Sequence, residues 1–185
     1  MAFKFTPTEI PDVVLIEVDT YGDHRGFFRE TYKESAFAEG GFPWTFVQAN
    51  FSKSKKDVVR GLHFQYEPAG IGKLISVTRG RILDVAADIR PGSPTYRNTQ
   101  SFRLDGDTQV TLYVPAGCAH GFQALTDPAD TSYRIDRRHD PAQDVTIAFD
   151  DPELAIVWPL PVTAMSPRDR QAPRLAALGA FPAGH

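Results

Sequence analysis

The sequence contains one cysteine, Cys118, among 185 residues. A single thiol forms no intrachain disulfide, which excludes a stapled secreted scaffold and a multi-cysteine zinc site, and the cytosol is the compartment that fits. Long apolar runs are missing too. No stretch approaches the roughly 18 residues of a membrane span, and Met1 to Pro11 lacks the charged-then-apolar pattern of a signal peptide. Charge of one sign is also scarce: 20 Lys and Arg stand against 23 Asp and Glu, a net charge of −3. Such a balance offers no extended field to nucleic acid or to an acidic membrane. Internal repeats and low-complexity tracts are absent, and like charges gather no further than Lys53, Lys55 and Lys56.

What is present is ordinary for a folded domain: 42% hydrophobic and 23% charged residues. At roughly 100–200 residues per domain, residues 1–185 are expected to form one. Turn signals recur along the chain at Asp57, Arg79-Gly80, Pro91-Gly92-Ser93-Pro94, Asp105-Gly106-Asp107, Pro115-Ala116-Gly117, Asp127-Pro128, Asp140-Pro141 and Asp151-Pro152. Between them lie short β-branched or aromatic runs, read as strands at Val13–Val18, Thr45–Phe51, Val58–Tyr66, Leu74–Thr78, Arg81–Ile89, Val110–Val114, Phe122–Leu125, Ser132–Asp136 and Val145–Phe149. In the fifth of these, Leu83, Val85, Ala87 and Ile89 alternate with a set containing Asp84 and Asp88, so its two faces differ in polarity. The connections are too short for crossover helices, which makes the sheets antiparallel. Helical patterns are confined to Lys33–Glu39 and Arg168–Leu178, the second interrupted by Pro173. The expected fold is all-β, an antiparallel jelly roll with short flanking helices.

Two histidines sit in distinctive surroundings. His63 and Gln65 share one face of the strand Arg60-Gly61-Leu62-His63-Phe64-Gln65, and His120 follows the turn Pro115-Ala116-Gly117. The second segment has the PxGxxH spacing of the cupins, but the HxH pair of metal-binding cupins is broken by Gln65, and only Glu67 follows nearby. His63 with His120 falls short of the three protein ligands of a catalytic zinc. Around His63 lie Arg60, Lys73, Gln48, Asn50 and the later Tyr133. A base, cations, amides and a phenol are the inventory for removing a proton next to a carbonyl. Imidazole titrates near neutrality, at about 6.5 when unperturbed, and a fixed cation answers the charge that develops on the carbonyl oxygen. Taken singly, each has a bland reading: a strand histidine packs, a tyrosine lines a barrel, a lysine beside glycines is solvated. Cys118 reads as a small buried residue rather than a nucleophile.

Read together, the segments resemble the dTDP-4-dehydrorhamnose 3,5-epimerase family, cupin-type jelly rolls. The resemblance runs nearly end to end, through Tyr21-Gly22-Asp23-His24-Arg25-Gly26-Phe27-Phe28, Gln48 with Asn50, Arg60 to Gln65, Gly72-Lys73-Leu74, Ala119-His120-Gly121-Phe122, Trp158-Pro159 and Asp169. It implies a dTDP-linked 4-keto-6-deoxyhexose as substrate, with neither metal nor organic cofactor. It casts His63 as the base at carbons 3 and 5, Asp169 as the holder of its ring, Lys73 as the cation at the enolate oxygen and Tyr133 as the acid on the opposite face. It places Arg25 and Arg60 on the diphosphate, and Glu30, Gln48, Asn50, His120 and His139 around sugar and base. It also implies a homodimer in which an N-terminal strand reaches the partner's site, carrying Arg25 or Glu30.

The chain departs from the family pattern at Gln48-Ala49-Asn50-Phe51-Ser52, commonly QDNHS, and at His139, which stands where the family has the second of two tyrosines. The altered wall motivates an alternative, epimerisation at carbon 3 only. Outside the family, the alternatives are a metal-dependent cupin anchored by His63 and His120, and a sugar-nucleotide binding module without turnover.

Overall fold

The computed structural model describes residues 2–66, 70–108 and 110–178; Glu67 and His185 lie outside them. Among the described residues, thirteen strands account for most of the ordered elements. In chain order they are β1 (Phe3–Pro7), β2 (Val14–Val18), β3 (Tyr21–Asp23), β4 (Gly26–Phe28), β5 (Gln48–Ser54), β6 (Val59–Gln65), β7 (Lys73–Arg79), β8 (Arg81–Asp88), β9 (Thr99–Asp105), β10 (Thr111–Val114), β11 (Cys118–Ala124), β12 (Ala129–Ile135) and β13 (Asp144–Thr146). A six-stranded sheet runs β1-β2-β10-β7-β12-β5 and a five-stranded sheet runs β13-β6-β11-β8-β9, while β3 and β4 form a separate hairpin. Every strand pair is antiparallel, giving the expected jelly roll.

The core lies between the sheets. Ile75 and Val77 from one sheet meet Ile82, Ala86, Phe102, Leu104 and Phe122 from the other. The outer faces are covered as well. Leu62, Phe64, Ala87 and Ile89 pack under a C-terminal segment carrying Leu154 and Leu175. Leu74 and Tyr113 pack under helix α1 (Glu34–Glu39), whose Phe37 is fully buried among Phe3, Phe5, Tyr32 and Trp44. Covering both faces explains why β8 is buried along nearly its whole length. Its polar set faces inward, and each acid has a partner: Asp84 meets His120, and Asp88 meets Arg90, Ser93 and Thr95.

Differences from the sequence-based expectation are local. Strands β1 and β9 and the β3–β4 hairpin were not among the expected runs, and β11 begins four residues earlier, at Cys118. The C-terminal helical pattern is split at Pro173 into α2 (Pro167–Arg170) and a 3₁₀ turn at Leu175–Ala177. Ser166 caps α2, its Oγ accepting from the Asp169 N–H at 3.1 Å, and Pro167 fits the first turn, where an N–H has no helical partner.

Strands β6 and β11 approach unusually closely. Gly61 has φ +118°, and a Cβ there would lie 2.6 Å from the Gly121 Cα and 2.8 Å from the His120 carbonyl oxygen. The ladder shifts register between His120 and Phe122, an irregularity that redirects side chains. It lies beside the pairing of His120 with His63.

Candidate active site

A cavity of about 490 Å³ opens between the sheets. The six-stranded sheet contributes Gln48, Asn50, Lys73 and Tyr133; the five-stranded sheet contributes Arg60, His63, Gln65 and His120. Asp169 enters from α2, and His139 from the segment between β12 and β13. Nine of the eleven residues singled out in the sequence therefore line one space.

His63 Nε2 lies 2.7 Å from Asp169 Oδ1, with the carboxylate 4% exposed and the imidazole 33% exposed. Asp169 also accepts from the Gly61 N–H at 3.4 Å. Burial opposes its ionisation, but the bonds from His63, Gly61 and Ser166 hold its carboxyl below the usual range, so it remains a carboxylate near neutrality. An ionised Asp bonded to one ring nitrogen fixes the tautomer and leaves the other nitrogen to accept a proton.

Lys73 starts β7 and reaches across to the other sheet, donating from Nζ to the His63 carbonyl oxygen at 3.0 Å. One of its three donors is thereby committed, and the ammonium is tethered beside His63. Burial, partly offset by Asp144 and Asp84, lowers its pKa to about 8. Tyr133 is half-buried on β12, and burial raises its pKa, with Arg60 opposing, so the phenol keeps its proton. Arg60 donates to Ser54 Oγ at 3.0 Å and to the Lys53 carbonyl at 3.2 Å. Gln48 donates to Asn50 Oδ1 at 3.0 Å.

His120 forms a second imidazole–carboxylate pair, its Nε2 lying 2.8 and 3.0 Å from the two oxygens of the fully buried Asp84. Each candidate metal-ligating histidine thus commits Nε2 to its own carboxylate. Among the described residues, no three His, Cys, Asp or Glu side chains are grouped to hold a metal ion. Cys118 is buried, its thiol pushed up to about 12 by burial, as suits a packing residue.

Two expected residues lie elsewhere. Arg25 sits at the β3–β4 turn, exposed and paired with Asp23 at 2.6 Å, and Glu30 follows that hairpin; neither lines the cavity of its own chain. Within one chain, Arg25 and Glu30 thus stand apart from Arg60 and Lys73. The hairpin folds on itself and joins neither sheet.

Three further residues matter that sequence reasoning missed. Asp144 Oδ2 accepts from Arg168 Nη1 at 2.6 Å and lies 3.3 Å from His139 Nε2, and all three line the cavity. Burial opposes the Asp144 charge, but Arg168 and His139 keep its carboxyl below the usual range. Asp84 is the third. The position of Arg168 next to Asp169 was an available signal; nothing local marked Asp144.

The arrangement joins an oriented imidazole, a tethered ammonium and a protonated phenol around one cavity. The chain as a whole is similar to known proteins. Residues 7–177 match the model of the dTDP-4-dehydrorhamnose 3,5-epimerase family. The chain is 42% identical to the dTDP-4-dehydrorhamnose 3,5-epimerase of Pseudomonas aeruginosa, over 97% of this chain and 99% of that one. It is 40% identical to a dTDP-4-dehydrorhamnose 3-epimerase of Streptomyces niveus, over 94% and 84%. A crystal structure of dTDP-6-deoxy-D-glucose-3,5-epimerase from Legionella pneumophila, in complex with dTDP-4-keto-L-rhamnose, superimposes with a TM-score of 0.94 at 39% identity, covering 99% of both chains. With its jelly roll, its cavity and a match spanning nearly its whole length, the chain belongs to the dTDP-4-dehydrorhamnose 3,5-epimerase family.

Proposed function

We propose that this protein inverts carbons 3 and 5 of a dTDP-linked 4-keto-6-deoxyhexose, acting as one domain in the cytosol. The observation that carries the reading is the His63–Asp169 pair, held in the cavity that Lys73 and Tyr133 also line. The ring nitrogen of His63 not bonded to Asp169 takes the proton from the carbon next to the ketone. The C–H electron pair becomes a carbon–carbon double bond to carbon 4 while the carbonyl π electrons move onto oxygen 4, and the Lys73 ammonium stabilises that enolate until reprotonation at carbon restores the ketone. Tyr133 delivers a proton to the opposite face. The tyrosinate then regains a proton from solvent and the imidazolium loses one, so no redox partner is needed. Arg60 suits phosphate oxygens through its guanidinium fork, and Gln48, Asn50 and His120 offer polar contacts to sugar and base. Similarity to relatives that act on dTDP-sugars supports the substrate class.

The test is incubation with dTDP-4-keto-6-deoxyglucose in deuterated water. Deuterium at both carbons is expected, and label confined to carbon 3 supports the second reading, a 3-epimerase. That reading is favoured by His139 on the cavity wall and by similarity to the 3-epimerase of Streptomyces niveus. His63→Asn is expected to abolish exchange at either carbon, and persistent exchange would remove His63 from the role of base.

The proposal includes a homodimer. Tyr21, Phe27 and Phe28 on the hairpin and Val47 and Phe51 on or beside β5 are large, apolar and more than half exposed. Covering them with a second copy lets the hairpin's Arg25 and the adjacent Glu30 complete the partner's diphosphate and sugar contacts.

A further inference from the structure

Gln65 replaces a would-be metal ligand on the catalytic strand, and the mechanism above makes no use of it. It is 4% exposed, two residues beyond His63 on β6. Its amide bonds the backbone of Asp140 at both ends: Nε2 donates to the Asp140 carbonyl, and Oε1 accepts from the Asp140 N–H at 3.3 Å. Serving both backbone groups of one residue is what a neighbouring strand does, and here a side chain does it for a segment that is not a strand. That segment, residues 136–143, joins β12 to β13 and carries His139. Its start is fixed by Asp136, which accepts from the Gly72 N–H at 2.8 Å and from the Tyr113 hydroxyl at 3.1 Å. Asp144, just beyond its end, pairs with Arg168 and His139. Gln65 secures the middle, directly next to His139 in sequence.

We infer that Gln65 is a positioning residue for the sugar-facing wall: it locks Asp140 to the strand that bears the base, and so sets where His139 stands relative to His63. The inference rests on the epimerase reading above. The buried amide has both polar ends satisfied, so replacing it with an apolar side chain of the same length leaves the Asp140 N–H without its partner and the Asp140 carbonyl with only the local Gln143 N–H at 3.1 Å.

The test compares Gln65→Met and Gln65→Glu with His139→Ala and with the Gln65→Met/His139→Ala double variant. Amide hydrogen exchange, read without substrate, is expected to quicken more than tenfold across 137–143 in Gln65→Met and to stay within twofold in β6 and β11. With dTDP-4-keto-6-deoxyglucose in deuterated water, Gln65→Met is expected to change the ratio of label at carbon 5 to carbon 3 at least fivefold, in the direction that His139→Ala changes it. The double variant should match His139→Ala alone, because Gln65 acts through His139. Unchanged protection of 137–143, or effects that simply add in the double variant, would overturn the inference. If Gln65→Met loses protection in β6 and β11 as well, Gln65→Glu decides by the same readings, since it keeps the length and loses the donor. Wild-type protein that labels neither carbon overturns the functional reading instead, and amide exchange still judges the clamp itself.

Discussion

At the scale of single residues, the site depends on which proton each group holds. Asp169 stays ionised because three donors outweigh its burial. Removing its charge while keeping its shape, by Asp169→Asn, lets His63 adopt the wrong tautomer. A loss in kcat on the order of 10³–10⁴ is expected, the scale seen when a carboxylate orienter of a catalytic histidine is neutralised, and steady-state kinetics with the keto-sugar measures it. Lys73 titrates at about 8, lowered by burial, so the ammonium predominates at neutrality and disappears as pH rises past that value. Turnover should therefore fall on the alkaline side with an apparent pKa near 8, and Lys73→Arg, whose guanidinium stays charged throughout, should remove that limb from the pH–rate profile whatever its absolute rate. An unchanged limb would assign the titration to another group. His63, Lys73 and Tyr133 were singled out in the sequence by their surroundings and residue types, and Asp169 through the family resemblance; all four line one cavity. Asp84 and Asp144 were not singled out, because their partners, His120 from β11 for the first and Arg168 from α2 with His139 from the preceding loop for the second, are brought to them by the tertiary fold, which neither segment spells out.

Individual elements were legible where punctuation was strong. Strand β6, which carries His63, falls between clear turn signals together with β7, β8 and β10. Strand β9 carries only Phe102 and Leu104 as apolar residues in seven, and β1 mixes Phe with Lys and Thr, so neither stood out as a run. Their burial comes from what packs on them. At the end of β8, Asp88 collects Arg90, Ser93 and Thr95, and Arg90 continues to Asp12 and the Pro11 carbonyl. That network ties β8 to the turn after it and to the loop before β2. Burial works against the Asp88 charge, but its bonds prevail and the carboxyl falls to about 2, below its unfolded value of about 3.9. Its contribution is thus complete above about pH 4 and is lost as pH falls toward 2. Asp88→Ala should cost about 3 kcal/mol at neutral pH, since it leaves the half-buried Arg90 without its main partner. Urea unfolding measures the loss, and the difference from wild type should shrink in acid.

For the whole molecule, the small net charge conceals an uneven distribution. Arg60, Lys73 and Arg168 line one cavity with two carboxylates that are already paired, while Arg25 lies outside it on the apolar hairpin. No helix among the described residues is long and apolar enough to cross a membrane. The proposed homodimer covers that hairpin with a second copy. Sedimentation should show a dimer, and Phe28→Asp should shift it toward monomer and raise KM for the keto-sugar by about tenfold or more, a loss of roughly 1.4 kcal/mol or greater in binding. A monomeric wild type with normal KM would refute the arrangement.

The proposed base and the proposed acid stand on different sheets, His63 on the five-stranded and Tyr133 on the six-stranded. Sheets packed face to face keep their backbones about 10 Å apart, and the side chains between them act as spacers. The fate of a transferred proton, whether it returns to the face it left or arrives on the other, is then partly a matter of core thickness. A smaller residue at Phe102 or Leu104, in the inter-sheet core and not lining the cavity, is expected to change handedness control from a distance by letting the two walls draw together, read as an altered yield of inverted product per deuterium incorporated.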